Sequence, residues 1–110
     1  MNPTAGSYVA MNRFRVSSGR QEEFETAWRD RETYLDEVEG IQGFALLRGA
    51  PAGGVTIYVS HSVWVSRAAF EAWTRSDAFA KAHREARLPQ GVLLGHPEFD
   101  GYEVVDLTRR

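Results

Sequence analysis

The most conspicuous chemistry in this chain is an amide where hydrocarbon is expected. Over residues 8–16, Tyr8, Ala10, Phe14 and Val16 alternate with Val9, Met11, Arg13 and Arg15, and Asn12 falls in the first, apolar set. A buried amide has to be hydrogen-bonded. Either neighbouring backbone groups satisfy it, or it faces a cavity and donates to a ligand. Trp28, Trp64 and Trp73 are large aromatics, whose ordinary use at such spacing is to fill a core. His83 sits at helical spacing from Phe79 and Ala86. A lone imidazole cannot close a zinc site, which takes four ligands. It is sufficient for a porphyrin iron, which brings four nitrogens of its own and takes one proximal ligand. His61, on a strand face with Ile57 and Val59, could supply the same ligand, whereas His96, between Gly95 and Pro97, reads as part of a loop. The sequence contains no glycine-rich phosphate loop, no G-x-S-x-G, no H-E-x-x-H and no cysteine.

The elements that must hold these residues follow from periodicity. Alternation predicts a strand over 8–16. Ser17-Ser18-Gly19 ends it and opens a long amphipathic helix marked by Phe24, Ala27, Trp28, Leu35 and Val38, which stops near Gly40. Residues 41–48 and 55–64 are rich in β-branched and aromatic side chains around the turn segment 49–54, which predicts a hairpin. Ser66 is placed to cap a short helix containing Phe70 and Trp73, and Ser76-Asp77 to cap a second helical piece through Phe79, Ala82 and His83, with a bend near Ser76. Residues 88–97 read as a loop and 102–108 as the last strand. The order β-α-β-β-α-β predicts one α+β domain over residues 1–110, ferredoxin-like, with helices on one face of a four-stranded antiparallel sheet. Ile57, Val59 and Val63 oppose Tyr58 and Trp64 in the third strand, so both sheet faces carry apolar groups. Two copies packed sheet to sheet, a homodimeric α+β barrel, would cover the second face.

Composition narrows the function classes. Hydrophobic residues make up 43% and charged residues 25% of the 110, an ordinary globular balance. No apolar run reaches the roughly 20 residues a membrane helix needs. The net charge is −2 with both signs interspersed, which leaves no basic stripe for nucleic acid. With no export-like start and no cysteines, a cytoplasmic location is expected.

The segment from Phe70 to His83 resembles the F-x-x-W-x-x-S-D-x-F-x-x-A-H pattern of the IsdG-type heme-degrading monooxygenases, and the strand around Asn12 resembles their asparagine-bearing first strand. That family lies in the antibiotic biosynthesis monooxygenase superfamily of dimeric α+β barrels. The resemblance implies that His83 is the proximal ligand of heme iron and Asn12 a distal hydrogen-bond donor to the oxygen held there. It makes Trp73 the bulky group that presses the porphyrin out of plane. Phe79 would line the same site, and Arg84 and Arg87, with Lys81, would meet the propionates. On one straight helix Trp73 and His83 would stand roughly 15 Å apart along the axis; a break at Ser76 lets them address one flat ligand. Heme b would be both cofactor and substrate, opened with O2 to biliverdin or a related bilin. Electrons must come from an external donor, a reductase or a small reductant, because no nicotinamide or flavin motif is present. Two other functions suit the same domain: a cofactor-independent quinol or polyketide monooxygenase, which has no use for a proximal ligand, and a heme carrier without turnover.

Overall fold

In a computed structural model of the chain, the described residues are 4–31, 35, 37–85 and 88–107, apart from the side chains of 31 and 83–85. The elements are β1 (Tyr8–Ser17), α1 (Gln21–Arg31), β2 (Ile41–Arg48), β3 (Val55–Trp64), α2 (Arg67–Thr74), α3 (Asp77–Glu85) and β4 (Glu98–Glu103). The strands form one antiparallel sheet in the order β2-β3-β1-β4, so the fold is the expected ferredoxin-like α+β arrangement, its second helix split in two. No helix among the described residues is long and apolar enough to cross a membrane.

Period-two alternation decides what each sheet face carries. Tyr8, Ala10, Phe14 and Val16 of β1 are buried on the inner face, opposite Trp64, Ser62, Tyr58 and Thr56 of β3 in register. Two aromatic clusters fill this side. Phe14, Phe24, Trp28 and Tyr58 build one, with Trp28 stacked on Phe44 at 5.7 Å. Tyr8, Ala10 and Trp64 build the other, against Phe70 and Trp73 of α2. Trp28 and Trp64 are therefore core residues, at 7% and 0% exposure.

Two boundaries differ from those the sequence predicts. The last strand is Glu98–Glu103 rather than 102–108. It is exposed along its whole length and pairs on one side only, so it carries no hydrophobic signal. Its position is set by pairing: Gly101 lies opposite Ala10, where any Cβ would run into the Tyr8 hydroxyl. Val105, which drew the expectation downstream, is 84% exposed. The first helix does not continue to Gly40; Leu35 and Glu37 already lie in a tighter 3-10 turn, with the Val38 amide donating to the Leu35 carbonyl at 3.1 Å. That turn brings Val38 and Ile41 onto the second aromatic cluster. Gly40 follows at φ +89°, with a would-be Cβ only 2.7 Å from that of Ala69, so the close approach of α2 requires glycine there.

Candidate active site

Between the inner sheet face and the helices lies a cavity of about 500 Å³, a size that suits a small-molecule ligand. Its floor is a row of residues in register across the sheet: Ser60 of β3, Asn12 of β1 and Phe99 of β4. Asn12 is half-buried rather than buried, because the inner face opens into the cavity at this point. Its carboxamide makes no side-chain hydrogen bond to another described residue. Of the two explanations open to the sequence, local satisfaction therefore does not hold among the described residues.

The wall above the floor is aromatic. Trp73 packs on Trp64 at 5.3 Å between ring centroids and meets Phe79 edge-on at 4.7 Å. Phe70 stacks on Phe99 at 5.6 Å. This wall depends on the break between α2 and α3. Ser66 caps α2 by accepting from the Ala69 amide. Ser76 does two things at once: its hydroxyl donates to the Trp73 carbonyl at 2.6 Å, closing α2, and accepts from the Phe79 amide at 3.1 Å, opening α3. Ala78, Phe79 and Ala82 then face the cavity from α3.

Several polar groups of the lining are tied to protein. The Trp64 indole donates to Ser62 Oγ at 2.9 Å, Ser62 donates to the Ala10 carbonyl at 3.4 Å, and Thr74 donates to the Glu71 carbonyl at 2.7 Å. Behind the wall, Tyr58 packs on Phe24 at 4.7 Å, and its hydroxyl donates to the Glu25 carboxylate, which also accepts from Arg48 at 2.9 Å. The bond from Tyr58, and then Arg48, hold the Glu25 carboxyl below its usual range. Burial, and then the bond to Glu25, push the Tyr58 phenol up to about 12.

Asn12, Trp73 and Phe79 thus meet in one cavity. His83 stands in α3 four residues beyond Phe79, and its side chain, like that of Arg84, lies outside the described residues, as does all of Arg87. His61 is on the wrong face to be a ligand in this cavity: its Cα partners are Met11 and Ala45 on the outer side, while Ser60 and Ser62 take the inner positions. His96 is exposed in the segment leading to β4.

Residues 7–85 match the family model described as antibiotic biosynthesis monooxygenase. The chain belongs to the antibiotic biosynthesis monooxygenase family. Among solved structures of similar fold is the heme-degrader MhuD from Mycobacterium tuberculosis with two hemes bound in its active site, 27% identical at a TM-score of 0.70, covering 93% of this chain and 99% of that one. SnoaB, a cofactor-independent oxygenase from Streptomyces nogalater, is 18% identical at a TM-score of 0.72, covering 96% and 100%. A conserved protein from Methanosarcina mazei is 14% identical at a TM-score of 0.70, covering 89% and 92%. The last two show likeness of fold alone. No curated protein sequence matches the chain.

For this monooxygenase-family member, sequence reasoning missed Ser60 and Phe99. Alternation alone places Ser60 on the face of Tyr58 and Trp64, but only the register of β1 against β3 brings it opposite Asn12. Phe99 lay in a stretch expected to precede the last strand.

Proposed function

We propose that this chain is a heme-degrading monooxygenase, on the observation that a largely apolar, aromatic-walled cavity presents on its floor the carboxamide of Asn12, which has no side-chain partner among the described residues. A flat, largely apolar macrocycle fits such a cavity, and an amide donor facing it fits a reaction at one point of that ligand. The 27% identity to a structure described as a heme-degrader supports heme over other planar ligands.

The residues divide the work as follows. Helical periodicity sets position 83 on the same side of α3 as Phe79, so His83 would hold the iron. Trp73 would press on the ring, and Phe79, in edge-on contact with Trp73, would line the same pocket. Asn12 would donate a hydrogen bond from the opposite wall, and the aromatic lining would keep water out. Arg84 and Arg87 would pair with the propionates. Bound heme b would supply the iron that activates O2 and would itself be the substrate, opened to biliverdin or a related bilin with release of iron, given electrons from an external reductase or small reductant.

We place the protein in the cytoplasm as a homodimer. The outer sheet face carries Val9, Met11, Ile57 and Val59, and Leu47 and Tyr102 stay 47% and 53% exposed on it in one protomer. A second copy would cover that face.

Titration of hemin into apoprotein tests the assignment. A sharp Soret band saturating at one heme per subunit is expected, and His83→Ala should lose it. Unchanged binding in that variant would remove His83 from its role. If the wild-type protein gives no Soret band yet oxygenates a planar quinol, the protein is cofactor-independent; a band that survives reductant and air belongs to a heme carrier.

A further inference from the structure

Of the polar groups on the cavity lining, the hydroxyls of Ser62 and Thr74 and the Trp64 indole are bound to protein partners. Besides the Trp73 indole, two are left over among the described residues: the Asn12 carboxamide and the Ser60 hydroxyl, which makes no side-chain hydrogen bond to another described residue although Ser60 is only 5% exposed. They are not scattered. Asn12 and Ser60 are direct cross-strand partners on the inner face, a relation that sets Cβ atoms about 5 Å apart. A single small polar atom fits between an amide and a hydroxyl at that spacing, whereas hydrocarbon there would leave both groups unsatisfied. On either side the row is apolar, with Leu46 beyond Ser60 and Phe99 beyond Asn12.

We infer that Ser60 is a second distal donor, so that Asn12 and Ser60 together fix one oxygen atom over the ring and set which part of the ligand it faces. This rests on the heme reading above and adds to it a residue on a different strand. Two donors define a direction where one defines only a distance, so Ser60 would govern the site of attack more than the affinity for the ring.

The test uses hemin-loaded protein with azide on the ferric form and carbon monoxide on the ferrous form. Ser60→Ala should bind hemin as the wild type does. Its azide affinity should fall about fivefold, the equivalent of one neutral hydrogen bond, and its carbon monoxide stretch should move to higher wavenumber. Ser60→Thr should restore both, and Asn12→Ala combined with Ser60→Ala should lose less than the sum of the single changes. If Ser60→Ala binds hemin and both readouts match the wild type while Asn12→Ala shifts them, Ser60 is not a donor and the heme reading stands. If wild-type protein takes up no hemin, the heme reading fails and this inference falls with it.

Discussion

At position 12 an amide occupies a place that alternation reserves for hydrocarbon, and the structure leaves that amide without a side-chain partner among the described residues. Folding gains nothing from it, so its use lies with whatever enters the cavity. Asn12→Ala should therefore leave hemin affinity within a few-fold and slow ring opening by about a hundredfold, the usual cost of one preorganised donor; hemin titration measures the first and stopped-flow decay of the Soret band the second, and an unchanged decay rate would deny Asn12 its role. The Tyr58 phenol makes a second prediction at this scale. With its folded-state value raised from 10.0 to about 12, it favours the protonated form, so its contribution to stability is full below pH 10 and is lost as the pH rises toward 12. The Glu25 carboxyl has the opposite sign: held low, it stabilises above the ordinary carboxylate range, and that stability is lost as the pH falls below it. Urea midpoints across pH should show the alkaline decline flatten in Tyr58→Phe; an identical alkaline limb in that variant would contradict the burial and bonding ascribed to Tyr58. Asn12 was legible in the sequence because period two exposes a single break in an apolar set. Ser60 was not, because a serine in a strand is unremarkable until the neighbouring strand's register is known, and the face taken by His61 was legible only relative to that of Trp64.

The elements were legible wherever a pattern or a cap speaks locally. β1, the β2–β3 hairpin and the interruption at Ser76 all follow from alternation, turn residues and capping hydroxyls. What escaped was set by tertiary contact: β4 is polar and exposed and owes its position to pairing with β1, and the end of the first helix tightens to reach the second aromatic cluster. The Ser76 junction is the element on which the site depends most, since one hydroxyl serves the carbonyl beneath Trp73 and the amide of Phe79. Ser76→Ala should cost about 1 kcal/mol of stability and loosen the Trp73–Phe79 contact, whereas Ser76→Thr should recover both bonds and Ser76→Asp only the cap. Urea denaturation ranks the three, and a neutral alanine variant would show that the junction is held by packing alone.

At the scale of the whole molecule, the sheet divides a wet problem from a dry one. Its inner face is closed by helices around the cavity; its outer face leaves Leu47 and Tyr102 exposed and Val59 only half-buried in a single protomer. The sequence carried this much, since β3 is apolar on both sides. Sedimentation should show a dimer at micromolar concentration, and Val59→Glu, at the middle of the outer face, should convert it to a monomer. A wild-type protein that sediments as a monomer throughout would leave that face without its proposed cover. Whether the inner side is a catalytic chamber is decided by what leaves it. Mass spectrometry of the tetrapyrrole after hemin-loaded protein is given ascorbate under air, with an iron chelator present, is the most direct measurement. An opened bilin carrying added oxygen, formed together with chelated iron and suppressed in Asn12→Ala, is the predicted result; hemin recovered intact at the end of the reaction would contradict the assignment.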